Sequence, residues 1–148
     1  MNKILEMIKS LLFPPKCVRC SAYTDFDRCL CDECLEVWEK EKAEKCNKCG
    51  KTHTKCTCLI SNEESKLFGV FHLAEYKRDT VASQLVYKLK GDHGPVGDFL
   101  ASELYERLKD RQDFSEAVLT YVPRRRDAIK ENGCDQAFIL ARKLLLNS

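Results

Sequence analysis

Cys17-Val18-Arg19-Cys20, Cys31-Asp32-Glu33-Cys34, Cys46-Asn47-Lys48-Cys49 and Cys56-Thr57-Cys58 place eight cysteines in four short pairs. Cys29 stands beside the second pair, and Cys134 is far from the rest. A C-x-x-C turn points two thiolates at one metal, and two such turns complete a tetrahedral site with no open position. The spacing therefore predicts two structural zinc ions. The favoured assignment is in tandem: Cys17, Cys20, Cys31 and Cys34 on one ion, Cys46, Cys49, Cys56 and Cys58 on the other. A cross-braced arrangement, with alternate pairs sharing an ion, fits the spacing too. The last pair is C-x-C, a tighter bite than the usual knuckle, so His53 stands as a minor alternative ligand. Cys29 and Cys134 have no evident partners and are expected to be free thiols.

Metal is favoured over a disulfide framework. Disulfide-stapled modules belong to oxidising compartments and usually follow a secretory signal. From Met1 to Phe13 the apolar Ile4, Leu5, Ile8, Leu11 and Leu12 are interrupted by Glu6 and Lys9, and Pro14-Pro15 ends the run. This pattern reads as a short amphipathic helix, neither an export signal nor a membrane span. A cytoplasmic location is the expectation. The segment between Cys17 and Cys58 holds few large apolar residues, so its folding energy has to come from metal, at about 10–16 kcal/mol per structural zinc.

Lys and Arg exceed Asp and Glu by two, a formal charge of +2 that counts the cysteines as neutral. Each Zn(Cys)4 site adds about two negative charges, which leaves the metal-loaded chain close to neutral. Global charge thus offers no case for nucleic-acid binding, and any such case rests on local patches.

The polar stretch Ile60 to Lys66 marks a change of pattern, and the domain division is drawn at 1–62 and 63–148. Phe68 to Tyr76 has the composition of a strand. From Asp79, a candidate N-cap, Val81, Ala82, Leu85, Val86 and Leu89 keep helical spacing as far as Gly91, with Lys88 and Lys90 suited to the helix dipole. Val96, Phe99, Leu100, Leu104 and Leu108 mark a second helix. Ala117 to Val122 is an apolar run of strand type ending at Pro123, and Asp135 to Leu146 returns to helical spacing. Strand, helices, strand, helix is the start of an α/β domain on a parallel sheet.

At this level of detail the chain resembles the ComF family over its whole length. The resemblance is carried by Leu12-Phe13-Pro14-Pro15-Lys16-Cys17-Val18-Arg19-Cys20, the later cysteine pairs, Leu89-Lys90-Gly91-Asp92, Val122-Pro123-Arg124-Arg125-Arg126 and Gly133-Cys134-Asp135-Gln136-Ala137. It implies an N-terminal double zinc ribbon joined to a type I phosphoribosyltransferase-like α/β domain. It also implies a role in DNA uptake during competence, with single-stranded DNA and an ATP-driven DNA translocase as partners. Where the family usually has Arg-Gly-Phe-Asn-Gln, this chain has Asn132-Gly133-Cys134-Asp135-Gln136. The strand with paired acidic residues and the Thr-Thr-Gly-type loop that grip phosphoribosyl pyrophosphate in this class are missing. Glu63-Glu64 lies in the linker and lacks that setting. The expectation is therefore a C-terminally truncated chain, inactive by itself, with phosphoribosyl pyrophosphate and Mg2+ as ligands only if a second chain completes the α/β domain.

Three functions follow. The first is a competence-type module that handles single-stranded DNA through the basic loop Arg124, Arg125, Arg126 and Lys130, whose arginine forks suit phosphate oxygens. Lys77, Arg78, Lys88 and Lys90 could extend that patch, or be ordinary surface charges. The second is one part of a phosphoribosyltransferase of nucleotide metabolism. The third is a structural zinc-ribbon adaptor. His72 and His93 have no sequence context that marks them as proton-transfer groups.

Overall fold

The computed structural model of the chain describes residues 13–43, 50–52, 72–91, 94–109 and 117–147. Five helices run through these residues: α1 (Asp32–Ala43), α2 (Val81–Leu89), α3 (Pro95–Leu108), α4 (Arg126–Asn132) and α5 (Gln136–Asn147). The expected N-terminal amphipathic helix and the linker at the 62/63 division lie outside the described residues. None of the described helices is long and apolar enough to cross a membrane.

The parallel sheet expected of an α/β domain is absent among the described residues. Among the described residues there is no strand; β-contacts are isolated bridges, such as the antiparallel one between Lys16 and Tyr23. Of the expected Phe68–Tyr76 strand, residues 72–76 are irregular, and 68–71 lie outside the described set. Ala117–Val122 has no regular secondary structure and joins no ladder, and Val118 and Val122 are 92% and 86% exposed. A central strand of a parallel sheet is buried on both faces. β-Propensity records only how well a side chain suits a pleated, half-buried surface, and here the helices bury one another instead. The ribbon reading also needs correction, because the second cysteine pair opens α1 and does not sit on a hairpin: the Leu35 N–H bonds to the Cys31 carbonyl at 2.9 Å.

Helix α1 has Asp32 and Glu33 in its first turn and Lys40 and Lys42 in its last, the charge order that the helix dipole favours. Cys34 and Trp38, one turn apart, form its buried side. In α2, Val81, Leu85 and Leu89 recur every four residues and are almost wholly buried. Val96 and Leu100 of α3 complete the same cluster, which runs without a break into Cys17, Cys29, Leu30 and Cys34. The cysteine turns and the helices therefore share one core.

Polar ties fix the helices where they cross. Glu41 of α1 accepts the backbone N–H groups of Val81 (2.8 Å) and Ala82 (3.1 Å), so one helix caps another. Thr80, the N-cap of α2, accepts the Ser83 N–H at 3.2 Å, while the preceding Asp79 takes a left-handed φ of 62°. Pro95 occupies the first turn of α3, where its missing N–H is not needed. Gly97 lies against the Lys143 side chain of α5, where a β-carbon would come 3.1 Å from the Lys143 Cε. Lys143 reaches across to pair with Asp98.

Candidate metal centre and the basic pocket

The first cysteine pair is held by a compact network of backbone bonds. Cys17 donates to the Ala22 carbonyl (2.7 Å), Ser21 donates back to the Cys17 carbonyl (3.0 Å), and Val18 donates to the Cys29 carbonyl (2.9 Å). Ser21 closes the turn at φ 63°, a left-handed conformation that lets the chain reverse directly after Cys20. The second pair is carried on the start of α1. Together they bring the Sγ atoms of Cys17, Cys20, Cys31 and Cys34 within 4.8 Å of one another, and these four cysteines could bind a metal ion.

The geometry and the charges both suit a cation. Sulfurs at about 2.3 Å from a tetrahedral zinc lie about 3.8 Å apart, and Cys20 Sγ and Cys31 Sγ are separated by 3.6 Å. Burial opposes ionisation of Cys17, yet backbone N–H groups of Cys20, Cys31 and Arg19, joined by the Cys20 thiol, bring its pKa down to about 6. Cys34 is pushed up to about 12, first by burial and then by the thiols of Cys31, Cys17 and Cys20. Cys31 is raised as well; the Cys34 backbone N–H pulls it down, but burial and the Cys20 thiol prevail. The polypeptide thus stabilises the Cys17 thiolate with amide donors and resists ionisation of Cys31 and Cys34 beside it. A bound divalent cation removes that resistance, since ligation deprotonates thiols.

Cys29 is not among the four. Its thiol is buried in the shared core, and burial lifts its pKa to about 11. Cys46, Cys49, Cys56, Cys58 and His53, the expected second site, lie outside the described residues. Cys134 is buried, with its Sγ 3.9 Å from the Lys90 carbonyl and 3.5 Å from Gln136 Nε2.

Arg124 and Arg125 of the basic group lie between residues 117–122 and α4, Arg126 opens that helix, and Lys130 sits in its last turn. Asp135 organises the basic loop from the other side of that helix. Its Oδ2 accepts the Arg124 backbone N–H at 2.9 Å, and its Oδ1 accepts those of Ala137 (3.1 Å) and Phe138 (3.2 Å), which caps α5. Those donors, the Arg124 N–H foremost, hold the Asp135 carboxyl below its ordinary value. Arg124 also donates from its guanidinium to Gln136 Oε1 at 3.0 Å. Gly133, at φ 75°, makes the left-handed C-cap that lets α4 turn directly into this arrangement. The motif Gly133-Cys134-Asp135-Gln136 is therefore a structural clasp on the basic loop.

Arg125 and Arg126 are exposed and have no ion-pair partner among the described residues. With Arg124 they line an open pocket of 550 Å³ that also includes Tyr121, Ile129 and Phe138. Lys130, in the last turn of α4, is exposed but does not line it. Lys77 pairs with Glu75 at 2.9 Å, Arg78 lines a separate hollow with Tyr76 and Tyr87, and Lys88 and Lys90 are exposed at the end of α2. Tyr121 and Phe138 are the residues that sequence reading passed over. Both sit in apolar runs and read as core, yet they are 40% and 44% exposed, and only the fold shows their rings meeting at a centroid distance of 5.5 Å.

No protein-family model, no curated protein and no solved structure matches the chain.

Proposed function

We propose that this chain is a zinc-ordered, ComF-like module that binds single-stranded DNA through its basic loop and serves DNA uptake. Zn2+ on Cys17, Cys20, Cys31 and Cys34 would supply a cross-link between the N-terminal turns and α1, with no open coordination position for chemistry. A second ion on Cys46, Cys49, Cys56 and Cys58 belongs to the same reading. The observation that carries the DNA contact is the clasped loop. Arg124 is tied down by Asp135 and Gln136, while Arg125 and Arg126 line the same pocket, exposed and free of carboxylate partners among the described residues. Two unpaired guanidinium groups on one pocket suit phosphate oxygens.

A salt titration of oligothymidine binding, read by fluorescence anisotropy, tests the loop. Each phosphate neutralised on a single strand contributes about −0.7 to the slope of log K against log salt, so Arg125→Ala with Arg126→Ala should flatten it by about 1.4. Zinc content, measured on the same preparations, should not change. An unchanged slope removes the loop from DNA binding.

A further inference from the structure

We infer that the pocket beside the basic loop accepts one unpaired nucleotide of a single DNA strand, its base stacked against Tyr121 and Phe138 and its phosphate on Arg125 and Arg126. This rests on the proposed DNA-binding role of the loop and adds the base to it.

The pocket has two chemically different walls. One is cationic, built by Arg124, Arg125 and Arg126, and the other is aromatic, built by Tyr121 and Phe138. The two rings are inclined at 57°, a tilted pair that leaves ring surface open to a third π-system. Both rings are substantially solvent-exposed, Tyr121 at 40% and Phe138 at 44%. An exposed aromatic pair beside arginines is the combination that single-strand binders use, because every base offers a π-face while the backbone requires cations. The volume of 550 Å³ lies within the range of pockets that bury small ligands.

The walls are also set in place beforehand. Asp135 accepts the backbone N–H of Arg124 on the cationic side and that of Phe138 on the aromatic side, so one carboxylate positions both. Its negative charge counts against a phosphate nearby, yet both of its oxygens are taken by backbone donors and three arginines outnumber it. In a duplex both faces of each base are covered by neighbours, so the aromatic wall selects an unpaired strand.

The test uses the full, metal-loaded chain and three labelled probes: oligothymidine, an abasic strand of the same length, and a duplex. Stacking of a base on an aromatic side chain predicts abasic binding weaker by about ten-fold, within a range of about 5- to 150-fold. Tyr121→Ala with Phe138→Ala should erase that difference and leave the salt slope as it was. The comparison of base-bearing and abasic strands on the unaltered protein needs no variant to fold. Equal binding of the two, with a salt slope retained, overturns the base pocket and leaves the loop's phosphate role standing; no salt-dependent binding of any probe overturns the loop reading and the pocket with it. Displacement of the strand by equimolar thymidine monophosphate would overturn the strand in favour of a free nucleotide.

Discussion

Glu103 of α3 serves two donors of α1 at once, accepting the Trp38 indole N–H at 3.0 Å and the Lys42 ammonium at 2.6 Å. Burial works against the Lys42 charge, and the Glu103 and Glu39 carboxylates more than offset it, so its pKa is raised. Glu103→Ala would leave an indole N–H and a half-buried ammonium with fewer partners, a loss of about 2 kcal/mol. Urea denaturation of the metal-loaded protein measures it, and Glu103→Gln should recover part of the loss by keeping an acceptor. Asp135 makes a prediction in pH. Its folded pKa is depressed, so the stability it lends is fully present above the ordinary carboxylate value and disappears as pH falls through the depressed one. Asp135→Asn should therefore melt a few degrees below the parent near neutral pH, and the two melting curves should converge in acid. A gap that persists at low pH would mean that the carboxylate charge is not what holds the clasp.

At the scale of elements, the joint between α1 and α2 rests on a single side chain. Glu41 satisfies two N–H groups that α2 cannot pair internally, and it places a negative charge at the positive end of that helix. Glu41→Ala should cost about 1–2 kcal/mol, and amide exchange at Val81 and Ala82 should quicken more than at Leu100. Uniform quickening across all three would assign the effect to global stability and not to the cap. Helices α2, α3 and α5 were legible in the sequence because their apolar residues recur every three or four positions. The strands were not correctly legible: Ala117–Val122 has strand composition, but a strand exists only through a partner that local sequence does not name. Helix α1 escaped notice because its apolar residues are few and the cysteine pair at its start reads first as a metal knuckle.

At the scale of the whole molecule, the cysteine turns and helices α1, α2 and α3 form one buried cluster, so metal and the packing of those helices should fail together. On the proposed zinc reading, a strong chelator should expose Trp38, shift its emission to the red and lower the helical circular dichroism signal, because a structural zinc would contribute about 10–16 kcal/mol of folding energy. Cys17→Ser with Cys34→Ser should do the same without chelator. Native mass spectrometry of protein purified without added metal should show two ions per chain; a single ion would dissolve the expected site at Cys46, Cys49, Cys56 and Cys58. Retained helical signal and unshifted emission in chelator would assign the fold to the helices alone.

The sequence by itself determined the cysteine pairing pattern, three of the five described helices and the existence of a basic loop. Each of these is local, because a thiol pair, a helical period or an arginine run is complete within a few residues. Tertiary structure alone decided that Glu41 caps a helix 40 residues further along, that Asp135 and Gln136 clasp Arg124, and that Tyr121 meets Phe138 to give the arginines an aromatic wall. It also decided that the apolar run before Pro123 joins no sheet among the described residues. These outcomes depend on which distant surfaces meet, and spacing along the chain carries no record of that.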